Sequence, residues 1–204
     1  MKTVLFIGDS ITDSDRLHDR PDSLGVGYVA RIVEWYALEN PDAQVRFVNL
    51  GIGGDRVADL RRRWTTDCLE LEPDVVSIMI GINDTWRRYD EDDPTTTEDF
   101  AADYRDILDR TIEIGARVVL VEPFLLPVRP EQWEWRTDLD PKIAVVRRLA
   151  AEFGALLVAT DGPMAQAAAA TGPTYWAYDG VHPTPAGHAL LARAWLAATQ
   201  AINV

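Results

Sequence analysis

"VLFIGDSITD", residues 4–13, opens the chain on an apolar strand that ends in a polar turn. Four apolar residues, Val4 to Ile7, run without interruption, stop at Gly8 and deliver Asp9 and Ser10 side by side. A short apolar run with no polar alternation suits a strand buried on both faces, and such strands belong to parallel sheets covered by helices. Runs of the same kind return at 45–50, 75–80, 118–121 and 156–158. Between them, residues 28–38, 57–69, 100–114, 143–153 and 188–198 place apolar side chains three or four apart with charges on the other side, the pattern of amphipathic helices. This alternation of strand and helix predicts an α/β fold: a three-layer α/β/α sandwich on a five-stranded parallel sheet.

Local signals agree with that reading. "TTTED" at 95–99 offers hydroxyl caps ahead of Phe100, Gly115 and Gly154 stand where helices stop, and "AQAAAATG" carries a short helix to Gly172. No Gly/Ser linker or shift of composition divides the chain, so residues 1–204 are expected to form one domain.

Composition narrows the partners. Thirty-three acidic against twenty basic residues give a formal charge of −13, which repels nucleic-acid phosphates and anionic lipid surfaces. No apolar run approaches the roughly 20 residues of a membrane helix. The N-terminal apolar stretch falls short of the roughly 7–15 residues of a signal peptide's core, so a cytoplasmic location is expected. The one cysteine, Cys68, has no disulfide or C-x-x-C partner and is expected as inert core. "RRRW" at 61–64 reads as an ion-paired helix face, and "YDEDDP" at 89–94 as an acidic loop without the glycine and terminal glutamate of a calcium loop. His18 is expected on the surface and His188 in capping or packing. With His182 and His188 six apart and no further ligands, no zinc site is expected.

The chemistry lies at the strand exits. In sheets of this type ligands gather outside the carboxyl ends of the strands. Ser10 follows the first strand, the glycines of "NLGIGGD" (49–55) the second, and Asn83 of "GIND" (81–84) the third. In "YDGVHP" (178–183), Asp179 and His182 are three apart in a turn, so one loop can bring a carboxylate to the imidazole Nδ1 and leave Nε2 free to take a proton from a serine. The Gly54 amide can point outward with no side chain in the way, and the Asn83 amide can donate to a developing oxyanion. Each has a plain structural alternative: an Asp turn, a relieved helix start, a loop cap. Together on one rim they point to nucleophilic catalysis.

"FIGDSITD", "NLGIGGD", "GIND" and "DGVHP" resemble the four blocks of the SGNH, or GDSL, hydrolases. The resemblance implies a flavodoxin-like sandwich with Ser10 as nucleophile, His182 as general base and Asp179 as its orienting acid. It also implies an oxyanion hole of the Ser10 amide, the Gly54 amide and the Asn83 side chain. Ile11 stands where the family name has leucine, a hydrophobic exchange with no catalytic consequence. "LGVGYVARIVE", "DLRRRW", "VSIMIGINDTWRRYD" and "DGVHPTPAGHALLARAWL" are further similar to the intracellular acetylxylan esterases, which strip acetyl groups from xylo-oligosaccharides. That narrower likeness implies a homo-oligomer. It weakens across 124–140 and 171–178, segments expected to wall the pocket.

The expected reaction is acyl transfer from a small-molecule ester, such as an acetylated oligosaccharide, to Ser10, followed by hydrolysis, with no metal or organic cofactor. Asp9 is expected first to fix the nucleophile loop, and with Trp86 and Tyr178 it is retained as a candidate substrate contact. Trp133, Trp135 and Trp176 read as loop aromatics facing a sugar or a neighbouring subunit, and Arg87 and Arg88 as ion-paired surface residues. Two other readings stand beside the sugar esterase: a general short-chain esterase or thioesterase of the same fold, and a non-catalytic carbohydrate-binding protein.

Overall fold

Val4 and Phe6 join one core and Leu5 and Ile7 the other, on opposite faces of the sheet, and none of the four is exposed. They belong to β1 (Lys2–Gly8) of a computed structural model that describes residues 1–200. With β2 (Val45–Asn49), β3 (Val75–Met79), β4 (Arg117–Val121) and β5 (Leu156–Val158) it forms a sheet of order β2-β1-β3-β4-β5, every neighbour parallel. The first of the eight α-helices among the described residues, α1 (Ser10–Asp13), is a single turn. The others are α2 (Tyr28–Glu39), α3 (Val57–Trp64), α4 (Ile82–Asp90), α5 (Thr97–Glu113), α6 (Arg136–Phe153), α7 (Asp161–Thr171) and α8 (Pro185–Thr199). α2 packs with α8, and α3 with α5, so each pair covers one face of the sheet and the three layers expected from the pattern are present.

The caps behave as their chemistry requires. Thr96 Oγ1 accepts the Asp99 N–H at 3.0 Å, and α6 stops where Gly154 turns left-handed at φ +62°. Several elements differ from expectation. The helix expected over 57–69 divides into α3 and a π-helical turn, Thr65–Leu69, closed by the Glu70 N–H on the Thr65 carbonyl. α6 begins at Arg136 rather than 143 and carries Pro141 inside it, because buried Leu139 and Ile143 hold this stretch on the core. Finally, "INDTWRRYD" forms α4, so Asn83 sits in a first helical turn rather than a loop.

The strand order reverses beside β1, which lies between β2 and β3. Segments leaving the carboxyl ends of these strands diverge there and open a crevice, with Ser10 opening α1, Gly54 in the loop before α3 and Asn83 in the first turn of α4. Among the described residues no helix is long and apolar enough to cross a membrane.

Candidate active site

Ser10 stands where β1 runs out against β3. A side chain on Gly8 would meet the Met79 carbonyl oxygen at 2.2 Å, so the strand must end on glycine to stay this close. Asp9 then caps α1, its carboxylate accepting the Ile11 N–H at 2.9 Å. Ser10 Oγ lies 3.0 Å from His182 Nε2, and His182 Nδ1 lies 2.7 Å from Asp179 Oδ2. The other carboxylate oxygen of Asp179 accepts the N–H groups of Val181 at 3.0 Å and His182 at 2.8 Å. One side chain therefore both folds the turn and orients the ring.

Electrostatics follow from those bonds. Partial burial pushes the Asp179 carboxyl upward, but the His182 ring and the two amides outweigh it, and its pKa falls well below the usual carboxylate range. The Asp179 hydrogen bond, against partial burial, raises His182 above 6.5. Since a carboxylate can only accept, Nδ1 carries the proton of the neutral ring and Nε2 presents its lone pair to Ser10.

The loop after β2 supplies the opposite wall. A Cβ on Gly53 would stand 3.8 Å from Ser10 Cβ, so this loop passes beside the nucleophile. Gly54 has φ +87° with open space where a side chain would project. Asn83 is buried, and its Nδ2 donates to the Asp55 carbonyl at 3.0 Å, tying α4 to the glycine loop. Asp84 makes a second tie: both carboxylate oxygens accept the Val57 N–H, at 3.3 and 3.2 Å, and burial raises its pKa to about 7.

Around Ser10 and His182 opens a cleft of about 620 Å³. Tyr178 lines it and is exposed. Asp9 does not reach it. The residue is 1% exposed, and burial lifts its pKa to about 7; the loop-fixing role expected first agrees with its bond to the Ile11 N–H, and the candidate substrate contact is corrected. Trp86 lies outside the cleft lining, with ring centroids 5.5 Å from Trp135 and 5.9 Å from His182. Trp135 is likewise corrected from a surface aromatic to core, since it stacks on Tyr89 and is buried. Trp176 is partly buried against the core, which leaves Trp133 exposed. Arg87 pairs with Asp90 and Glu91, and Arg88 with Asp138.

Sequence reasoning missed Gln132. This buried side chain donates Nε2 to the Asp179 carbonyl at 2.7 Å and accepts the Val128 and Arg129 N–H groups on Oε1, locking the Asp179 turn to residues 128–132. A glutamine in "RPEQW" carries no local signal of that role, because its partner lies 47 residues away.

The chain belongs to the GDSL-like lipase/acylhydrolase family, whose model matches residues 6–190, and it is a carboxylic ester hydrolase. It is 38% identical over 201 residues, 95% of this chain and 91% of the relative, to the acetylxylan esterase of Geobacillus stearothermophilus. The solved structure of that organism's acetylxylan esterase Axe2 superposes with a TM-score of 0.91 at 37% identity, covering 98% of this chain and 94% of Axe2. Other Axe2 structures, described as catalytic mutants, carry alanine in place of an aspartate, a histidine or a serine.

Proposed function

We propose that this protein is a serine esterase that removes acetyl groups from acetylated saccharides such as xylo-oligosaccharides through an acetyl-enzyme. The reading rests on one observation: Ser10 Oγ, the His182 ring and the Asp179 carboxylate lie in a row at 3.0 and 2.7 Å, facing an open cleft. His182 Nε2 takes the Ser10 proton as Oγ attacks the acetyl carbonyl, and Asp179 stabilises the imidazolium that forms. The tetrahedral oxyanion is received by the amides of Ser10 and Gly54 and by Asn83, whose Nδ2 has a second hydrogen beyond the one given to Asp55. His182 then protonates the departing sugar oxygen. It next deprotonates a water that attacks the acetyl-enzyme, and acetate leaves as Ser10 recovers its proton.

The similarity to acetylxylan esterase over nearly the whole chain supports a sugar acetate as substrate. The reading includes one catalytic domain spanning the chain and action in the cytoplasm, as the likeness to intracellular esterases supports. It also includes a homo-oligomer, which exposed Trp133 and Tyr175 favour and sedimentation velocity tests.

Two assays test the function. Wild type and Ser10→Ala are compared on p-nitrophenyl acetate, and equal rates refute the nucleophile. A chain-length series with acetylated xylo-oligosaccharide, followed by mass spectrometry, tests the substrate. Faster turnover of octanoyl than acetyl esters returns the protein to the general acyl esterases.

A further inference from the structure

The cleft holds a second serine–histidine contact that the acyl-transfer mechanism does not use. Ser14 lies one helical turn beyond Ser10, and its N–H closes α1 on the Ser10 carbonyl at 2.9 Å, so both serines present themselves to the same cleft. Its backbone is left-handed, φ +43°, and its carbonyl is pinned by the Val26 N–H at 2.8 Å. Ser14 Oγ lies 3.4 Å from His188 Nε2. His188 Nδ1 in turn accepts the Tyr28 N–H, the first amide of α2, at 3.1 Å.

That last bond fixes where the His188 proton sits. A backbone N–H can only donate, so Nδ1 must offer its lone pair, and a neutral ring then carries its hydrogen on Nε2. The ring is kept neutral: burial pushes its pKa down to about 4, with the charges of Arg31 and His182 acting in the same direction. His188 therefore donates to Ser14 and cannot serve as its base. His182 and His188 are opposite tautomers. His182 accepts from Ser10 and activates it, whereas His188 occupies the Ser14 oxygen and turns its hydroxyl hydrogen outward.

Arg31 adds to the same wall. It lines the cleft, and its Nε is buried with no hydrogen-bond partner. The carboxylates here, Asp13 and Asp15, are balanced by Arg16 and Arg31, and Asp13 is already engaged by His18 and the Gly53 amide. A cleft wall of balanced charge that presents fixed donors suits a neutral, oxygen-rich group better than an anion.

We infer that Ser14, oriented by His188 and flanked by Arg31, is a hydrogen-bond donor to the alcohol half of the ester, engaging a hydroxyl or ring oxygen of the departing saccharide. This rests on the sugar-acetate reading above and adds a specificity residue to it. No covalent step at Ser14 is involved.

The test is a ratio of specificities. For wild type and Ser14→Ala, kcat and KM are measured on acetylated xylo-oligosaccharide and on p-nitrophenyl acetate, whose leaving group has no sugar oxygen. The expected result is a rise of about 2- to 10-fold in KM for the saccharide relative to the aryl ester, the loss of one neutral hydrogen bond, with little change in kcat. His188→Asn, which can still accept the Tyr28 amide but has no Nε2–H, should shift the ratio the same way by less. Ring nitrogen–proton NMR correlations of the wild type should show His188 protonated at Nε2 and His182 at Nδ1. An unchanged ratio, or His188 protonated at Nδ1, overturns the inference while leaving the esterase reading intact. Wild type that cleaves the aryl ester and no acetylated saccharide overturns the substrate reading, and this inference falls with it.

Discussion

Replacing Asp179 by asparagine is the sharpest test of how the relay works. The side-chain oxygen that accepts the Val181 and His182 amides survives the change, so the turn keeps its shape. What changes is the group 2.7 Å from His182 Nδ1, where a carboxylate that accepts becomes an amide that donates. Two losses follow. The charge-assisted bond that stabilises the imidazolium is worth about 1.5–3 kcal/mol. The ring must also abandon the tautomer that serves Ser10 or face donor against donor, at a further cost of about 1–3 kcal/mol. At 1.36 kcal/mol per decade these sum to a fall of about 10²- to 10⁴-fold in kcat/KM. The Asp179 side chain is 40% exposed, and water can take over part of its role, which favours the lower half of that range. Kinetics on p-nitrophenyl acetate at pH 8, with circular dichroism to confirm folding, measure it. Asp179→Ala leaves room for a water to accept from Nδ1 and should lose no more than the asparagine variant, provided the turn holds. Activity of Asp179→Asn within about threefold of wild type would refute the argument that this carboxylate sets the tautomer.

Three further outcomes are expected. Because the base must be neutral and Asp179 raises the His182 pKa above 6.5, kcat/KM should climb with pH through that raised midpoint, and the midpoint should move down in Asp179→Asn; an unshifted limb would assign the titration elsewhere. Asp84 binds its proton more tightly folded, at about 7, than at its ordinary 3.8, so its share of stability is full in acid and declines as pH rises between those values. Asp84→Asn should therefore remove a slope of about 1.4 kcal/mol per pH unit from urea-unfolding free energies measured across that window, and parallel curves for the two proteins would contradict this. Cys68 is fully buried, with its thiol pushed up to about 12, so a thiol reagent should label one cysteine in denaturant and none in the native protein.

The architecture was legible because it rests on local periodicity. Continuous apolar runs can be satisfied only by burial on both faces, and the five strands match those runs to within two residues at their ends. Asp179 and His182 were legible for a related reason: three residues apart in a turn, they complete their contact within one loop. For Asp9 the loop-fixing reading holds and the substrate contact does not, because one letter serves equally for an acid facing the cleft and a buried cap, and its burial depends on the residues packed around it. Trp135 was misplaced in the same way, since its burial depends on Trp86 and Tyr89 from another helix.

The strand and helix alternation, the glycine at the end of β1, and the residue types able to pass a proton from serine to histidine are all written in the order of the residues. These follow from covalent geometry and from apolar spacing over a few residues. Packing added that His188 Nε2 faces Ser14, that Gln132 braces the Asp179 turn, that Asp84 ties α4 to the start of α3, and that Lys142, with no exposed surface, pairs with Asp138. Hydrogen-bond direction and burial depend on groups tens of residues apart, and packing alone brings those groups together.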